Sequence, residues 1–289
     1  DVERSRGLGD VYKRQQLKDS AGLPLTKLFV GSEGLLGIIT EVTLRLLPPQ
    51  APACTVVGTF ASVHDASEAV LAVTAEIRPA MLEFMDRPSI NAVEDLLRMG
   101  LDREAGALLV AQSDAPGPAG VAEVELIQKA FESNGATEVF ATEDAAEGEA
   151  FTAARRAAIP AVEKLGSLLL EDVGVPLPAL PTLIDGVESI AADNRVMIAV
   201  IAHAGDGNTH PLIVFDPADA DERDRAQRAF RQVMDLAISL GGTITGEHGV
   251  GRLKKAWLPD QVGPDVMELT ALIKHALDPE GLLNPGVVL

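Results

Sequence analysis

The chain has 289 residues, 47% of them hydrophobic and 23% charged, an ordinary globular balance that excludes global disorder and suggests about two domains. Its formal charge of −19, from 24 basic and 43 acidic side chains, argues against nucleic acid or an anionic membrane as main partner, because both need a net positive face. A single cysteine, Cys54, excludes an internal disulfide and points to a reducing, cytoplasmic setting; no stretch approaches the ~20 apolar residues of a membrane span.

The segment Lys27–Leu47 opens with an apolar run, Leu28–Val30, followed by a glycine-rich turn and a β-rich run, Ile38–Leu47. Pro48, Pro49 and Pro52 then break the chain and mark a domain boundary. Beyond it, Cys54–Phe60 reads as a strand. Ser62–Ile77 reads as a helix, with Ser62 and Asp65 as a capping box and Val63, Ala66, Val70, Val73 and Ile77 as one stripe. Met81–Met85 is a strand, Ser89–Met99 a helix, Ala107–Ala111 a strand, Val121–Phe131 a helix stopping at Asn134-Gly135, and Ala136–Ala141 a strand. This order, β-α-β, helix, β-α-β, resembles a ferredoxin-like arrangement with one extra helix. Next come a helix, Glu143–Ile159, a strand, Leu168–Val173, and a helix, Leu180–Ala192. Two strands, Val196–Ala202 and Pro211–Phe215, surround a tight turn. Asp219–Leu240 is the longest helix, with acids in its first turn, and Pro264–Leu277 is the last.

The strongest chemical signal is His203-Ala204-Gly205-Asp206-Gly207-Asn208-Thr209-His210. Asp206-Gly207 between apolar runs predicts a two-residue hairpin turn with both residues at positive φ. Counting outward sets His203 opposite His210, with Cβ atoms ~5 Å apart. Two imidazoles so placed can share a metal ion; a histidine pair simply packed in the sheet is the competing reading. In Gly241–Gly251, glycines bracket Glu247-His248. Adjacent extended side chains point apart, so Glu247 can face the metal while His248 faces a substrate as its base. Alone, that segment would read as a solvated glycine-rich turn. Together, two histidines and one carboxylate form an open site that does not distinguish Zn, Mn and Fe. Arg155 shares a helix face with Phe151 and Ile159. A guanidinium on an apolar stripe needs an anion, such as a substrate carboxylate, or must snorkel out. Arg156, on the neighbouring face, reads as solvated. The turn Gly31–Ile38, read as lying between strands, can bring backbone N–H groups near a phosphate, although it is neither a P-loop nor a G-x-G-x-x-G fingerprint. His64 and His275 read as structural and Cys54 as core.

The order of these motifs resembles the FAD-linked 2-hydroxyacid dehydrogenases and oxidases of the vanillyl-alcohol-oxidase type, which include D-lactate dehydrogenase and the glycolate oxidase flavin subunit. The resemblance rests on Leu28-Phe29-Val30-Gly31-Ser32-Glu33-Gly34, the His203–His210 hairpin, Thr245–Gly251, and Asp278-Pro279-Glu280-Gly281-Leu282-Leu283-Asn284-Pro285-Gly286. It implies an α+β fold. Residues 1–51 would be the end of an FAD-binding (PCMH-type) domain, with 1–15 foreign to the family. Residues 52–289 would be a ferredoxin-like antiparallel-sheet cap domain with helices. It implies a divalent metal on His203, His210 and Glu247, His248 as catalytic base, and Arg155 as holder of the substrate carboxylate. FAD would lie against Gly31, Ser32, Glu33, Gly34, Gly37, Ile38 and Asn284.

The implied reaction is oxidation of a D-2-hydroxy acid to the 2-oxo acid, with hydride passing to FAD. Electrons would leave to a quinone, an electron-transfer protein or an iron–sulfur subunit. The implied assembly is a homodimer or hetero-oligomer, cytoplasmic or peripheral at the inner face of the membrane. Leu35, Val287 and Leu170 depart from the family pattern: a small hydroxyl residue, a lysine and a second basic carboxylate ligand are common at these places. The main pyrophosphate loop that the family carries before its Gly-Ser-Glu-Gly turn has no counterpart here, so the chain reads as a fragment. Two rivals follow from the same residues: a metallohydrolase using His203, His210 and Glu247 to activate water, and a metal-binding module without turnover.

Overall fold

The structure, a computed structural model, describes residues 22, 23, 25–42 and 53–289. The prolines at 48, 49 and 52 and the segment 1–15 lie outside them. Of the expected β-rich run 38–47, residues 38–42 are described and carry no strand. The chain divides into two compact units, Leu47–Glu247 and a second that joins Asp1–Leu46 to His248–Leu289. Compactness thus groups the tail from His248 onward with the N-terminal segment, whereas the sequence reading carries one domain from 52 to the end.

The larger unit is built on one antiparallel sheet of eight strands: β1 Cys54–Phe60, β2 Met81–Asp86, β3 Ala107–Ser113, β4 Ala136–Thr142, β5 Ser167–Leu170, β6 Val173–Gly174, β7 Met197–His203 and β8 Asn208–Phe215. The order is β4-β1-β3-β2-β7-β8-β5, with β6 also on β8. The first four strands follow the ferredoxin-like order expected from the β-α-β repetition, and β2 then pairs with β7 to extend the sheet into the second half.

The central strands read as unbroken apolar runs because both faces are covered. On β3, Leu108 and Val110 join a core with Ile90, Val93, Ala158 and Val162. Leu109 between them is equally buried and points to the opposite face. That opposite layer contains Pro118–Ser133, Val63–Glu76, Leu180–Asn194 and Ala220–Ser239, which pack on one another in that order. Ser62 caps Val63–Glu76 as expected, accepting the Asp65 N–H at 3.1 Å.

Two elements differ from expectation. The helix expected over Glu143–Ile159 ends at Arg156, and a separate short helix covers Ala158–Val162. Pro160 explains the break, because it has no N–H for the carbonyl four residues back. The strand expected over Leu168–Val173 is interrupted at Glu171-Asp172, both fully buried, with the Glu171 N–H donated to the Pro211 carbonyl at 2.9 Å.

The second unit contains short helices Thr26–Phe29 and Leu258–Val262 and the longer Pro264–Leu277. A helix therefore precedes the glycine-rich turn where a strand was expected, and Leu35 in that turn is buried.

Candidate functional site

The hairpin brings the two histidines together in a register other than the one counted from Asp206-Gly207. His203 pairs with Asn208, and His210 pairs with Ile201. The turn has four residues, of which Gly207 alone adopts positive φ, +82°. The reason is local hydrogen bonding. The Gly205 N–H goes to the Leu82 carbonyl on β2, the Asp206 N–H to the His203 carbonyl, and the Asn208 N–H to the Asp206 side chain at 3.0 Å. A slip of two residues leaves side chains on the same face. His203 and His210 therefore meet diagonally, ring centroids 5.3 Å apart and planes at 89°.

Glu83, which sequence reasoning did not single out, lies directly opposite His203 in the β2–β7 ladder. Its Oε1 is 2.8 Å from His203 Nδ1 and its Oε2 is 2.9 Å from Arg155 Nε. A carboxylate only accepts, so Nδ1 of His203 carries a proton, and in the neutral imidazole Nε2 presents its lone pair. This hydrogen bond is the main reason the His203 pKa lies above its ordinary value. Arg155 is buried at the end of its helix, and burial lowers its pKa against the pull of Glu83. Its Nη2 is buried and, among the described residues, has no hydrogen-bond partner. Arg155 thus neither snorkels nor relies only on an external anion: an internal carboxylate pairs with Nε at 2.9 Å as an ion pair outside hydrogen-bond geometry, and Nη2 has no anion of its own. Arg156 is solvated as expected, paired with Glu149 at 2.8 Å.

The third wall is the segment Thr243–Glu247. Gly174 and Thr243 exchange both backbone hydrogen bonds, at 3.1 and 2.7 Å, which ties this segment to β6. Gly246 allows the close approach that follows, because a Cβ there would stand 2.2 Å from Asn208 Oδ1. Asp172, a second residue not anticipated, takes the Thr245 hydroxyl at 2.8 Å and the Glu247 N–H at 2.9 Å on its Oδ2. The signal for both Glu83 and Asp172 was an acid inside an apolar strand-like run.

Glu247 Oε1 lies 3.5 Å from His203 Nε2 and 3.3 Å from His210 Nε2. One ligand atom each from Asp172, His210 and Glu247 lie within 4.8 Å of one another, in a group that does not contain His203. A carboxylate oxygen facing the lone pair of His203 is repelled unless a cation or proton lies between them. The donor set of two imidazoles with one or two carboxylates therefore fits a divalent ion. His248 follows Glu247 directly and is exposed. His64, read as structural, pairs with Asp185 at 3.0 Å.

In the second unit, the residues that the resemblance assigns to FAD converge. The Glu33 carboxylate accepts the N–H groups of Val250 and Gly251 at 2.7 and 2.8 Å. Its carbonyl accepts the Asn284 side-chain amide at 2.5 Å. Both Glu33 and Asn284 adopt positive φ, +50° and +44°. Lys274 donates to the carbonyls of Leu35 and Leu283 and to the Asp278 carboxylate. That lysine, with the Leu283 N–H, holds the Asp278 pKa down at about 2. The turn Gly31–Ile38, the Gly249–Gly251 loop and the Asp278–Gly286 segment thus form one hydrogen-bonded body. The Glu33 carboxylate is spent inside it, so any contact of Glu33 with a cofactor would come from its backbone.

A family model described as "FAD linked oxidases, C-terminal domain" matches residues 49–288. The chain belongs to this family. Among FAD-linked oxidase relatives, glycolate oxidase subunit GlcD of Bacillus subtilis (strain 168) is 37% identical over 282 residues, covering 96% of this chain and 60% of its own length. GlcD of Escherichia coli (strain K12) is 38% identical over 270 residues, 93% of this chain and 54% of that one. The mitochondrial D-lactate dehydrogenase (cytochrome) of Arabidopsis thaliana is 34% identical over 284 residues, 96% and 50%. The chain thus spans between half and three-fifths of the length of these relatives. Among solved structures, p-cresol methylhydroxylase with substrate bound superposes with a TM-score of 0.71 at 15% identity, covering 96% of this chain and 61% of that one. A 4-ethylphenol oxidase from Gulosibacter chungangensis gives 0.70 at 15%, covering 96% and 62%. These structures share the fold, α+β on an antiparallel sheet. Among the described residues, no helix is long and apolar enough to cross a membrane.

Proposed function

We propose that the chain is the C-terminal part of an FAD-dependent enzyme that oxidises a small D-2-hydroxy acid, of the glycolate or D-lactate kind, to the 2-oxo acid. The observation that carries this reading is the linkage, through Glu83, of the convergent His203, His210 and Glu247 to a buried arginine with an unused donor edge. A 2-hydroxy acid presents a carboxylate and a hydroxyl on adjacent carbons, and the two halves of this cluster suit those two groups. Arg155 binds and orients the carboxylate through Nη2. His203, His210 and Glu247 would hold the divalent ion, which when bound makes the substrate hydroxyl more acidic. His248 takes the hydroxyl proton. Bound FAD supplies the hydride acceptor. The turn Gly31–Gly34, with Gly37, Ile38 and Asn284, supplies backbone and amide groups toward that cofactor. The names of the GlcD relatives, each called a subunit, support transfer of the electrons to a partner protein or carrier.

The test uses the full-length flavoprotein in anaerobic stopped flow, with glycolate or D-lactate as the substrate that bleaches the flavin. His248→Ala should slow bleaching by ~10²–10⁴. Arg155→Met should mainly raise the substrate concentration needed for half-maximal rate. Bleaching of the His248→Ala protein at the wild-type rate removes His248 as the base. Absence of bleaching by any short 2-hydroxy acid rejects the proposed reaction.

A further inference from the structure

We infer that Glu83 is a positioning residue shared by both halves of the site, one carboxylate that aims the His203 imidazole with one oxygen and the Arg155 guanidinium with the other. The inference rests on reading His203, His210 and Glu247 as a metal site.

Three observations carry it. First, the sheet fixes the position of Glu83, which pairs with His203 across β2 and β7. Second, both of its oxygens face a partner, Oε1 in a hydrogen bond at 2.8 Å from His203 Nδ1 and Oε2 in an ion pair at 2.9 Å from Arg155 Nε that lies outside hydrogen-bond geometry. Third, Glu83 and Arg155 are both buried, with side chains 11% and 9% exposed, so water does not substitute for either contact. The consequences are directional. Holding the proton of His203 on Nδ1 leaves Nε2 as a ligand atom aimed at Glu247, the arrangement in which an outer carboxylate orients a metal-binding imidazole. Pairing with Arg155 on its Nε side leaves Nη2 for a substrate carboxylate. Positioning of the ion and of the carboxylate anchor is therefore coupled through one side chain.

The chemistry makes Glu83→Gln the informative change. A glutamine amide has one accepting and one donating end, whereas His203 Nδ1–H and Arg155 Nε–H are both donors. If the amide oxygen stays with Arg155, the amide NH₂ faces His203. The imidazole proton is then driven to Nε2, which blocks the ligand lone pair.

The experiment uses metal-stripped full-length protein titrated with Zn²⁺ alone against a chelator of known affinity. Zn²⁺ is suitable because an N/O site holds it more tightly than Mn²⁺ or Fe²⁺. Wild type should bind one Zn²⁺ that His210→Ala does not, and Glu83→Gln should bind it ~10–100-fold more weakly. Because Glu83→Gln strands a buried arginine, and removing that arginine would free the amide to turn its oxygen to His203, the double variant Glu83→Leu/Arg155→Met, which has no acceptor at position 83, is compared with Arg155→Met. The same weakening should appear between these two. The ¹⁵N spectrum of the metal-free imidazoles should show His203 protonated on Nδ1 in wild type and on Nε2 in the double variant, a change that a merely structural role would not produce. Equal Zn²⁺ affinity in the double variant and Arg155→Met overturns the inference while leaving the metal site standing. A wild type that binds no more Zn²⁺ than His210→Ala overturns the metal site itself, and the inference with it.

Discussion

The joint between β2 and β7 should make the stability of this fold fall with rising pH. Asp86 ends β2, caps the helix Arg87–Leu97 by accepting the Ser89 N–H at 2.9 Å, and takes the Val200 N–H of β7 at 2.7 Å. It therefore does across the sheet what a strand carbonyl would do one residue further on, and it holds the register in which Glu83 faces His203. Burial raises its pKa from 3.8 to about 7, against the two N–H groups and Ser89, which favour the charged form. An acid whose pKa is raised by folding binds its proton more tightly in the folded state. Its contribution is therefore full below about pH 4, is lost progressively as pH rises to about 7, and is constant above that. At ~1.4 kcal/mol for each tenfold change in proton affinity, the loss is on the order of 4 kcal/mol. Asp86→Asn removes the titration and keeps the shape. It leaves one N–H facing an amide NH₂, a cost of ~1–3 kcal/mol that does not vary with pH. Urea unfolding followed by circular dichroism at pH 5, 6, 7 and 8 should show wild type losing stability relative to Asp86→Asn as pH rises. Other titrating groups, His203 included, cancel in that difference. A wild-type-minus-variant difference that is flat across the range refutes the argument and with it the idea that the buried carboxylate gains a proton.

Three further outcomes follow from the same geometry. Gly207→Ala places a Cβ 2.3 Å from the Val175 carbonyl oxygen at φ +82°, so it should lose at least ~2 kcal/mol from strain and displacement; a urea midpoint within experimental error of wild type would show that the four-residue turn is wrong. Gly249→Ala, at φ +96° with its Cβ 2.8 Å from Glu33 Cδ, should drive the carboxylate off Val250 and Gly251 and speed hydrogen exchange at those two amides. Glu33→Ala should speed the same two amides by removing charge-assisted hydrogen bonds worth ~1.5–3 kcal/mol each; unchanged exchange in both variants would remove Glu33 as the anchor of that loop.

How far the site could be read from the chain depends on what kind of signal each residue leaves. The strands before Ala141 were legible because turn residues and helical stripes bracket them. Their order followed from β-α-β repetition, and β4-β1-β3-β2 agrees with it. His203, His210 and Glu247 stood out because imidazoles are rare in this chain and glycines flank the acid. Glu83 and Asp172 left no periodic trace. In strands covered on both faces there is no alternation to violate, so Met81-Leu82-Glu83-Phe84-Met85 and Leu170-Glu171-Asp172-Val173 differ from ordinary core runs only by one or two letters. Arg155 was legible as a charge on an apolar stripe, but its partner lies 72 positions earlier on a strand, a distance no local pattern spans. The break at Ala157 was present in the chain as Pro160 and was outweighed by the helical run on either side.

The hairpin register shows why two histidines can be placed on one face from a wrong turn. The two-residue turn placed His203 opposite His210, whereas the ladder places it opposite Asn208. A slip of one residue would have sent the two imidazoles to opposite faces and dissolved the cluster; a slip of two moves them from direct to diagonal neighbours on one face. The diagonal arrangement also creates what direct pairing would not. It carries His203 toward the hairpin end of β7, where β2 rather than β8 supplies its nearest carboxylate, and it leaves His210 deeper on β8, beside Asp172. Each imidazole thus has a carboxylate on its Nδ1 side, one at 2.8 Å and one at 3.7 Å, while both Nε2 atoms turn toward Glu247. The cluster is assembled by three strands of one sheet and a segment bridged to it, so its geometry is set by backbone ladders rather than by a mobile loop, the kind of support a metal site needs to hold its ligands in place.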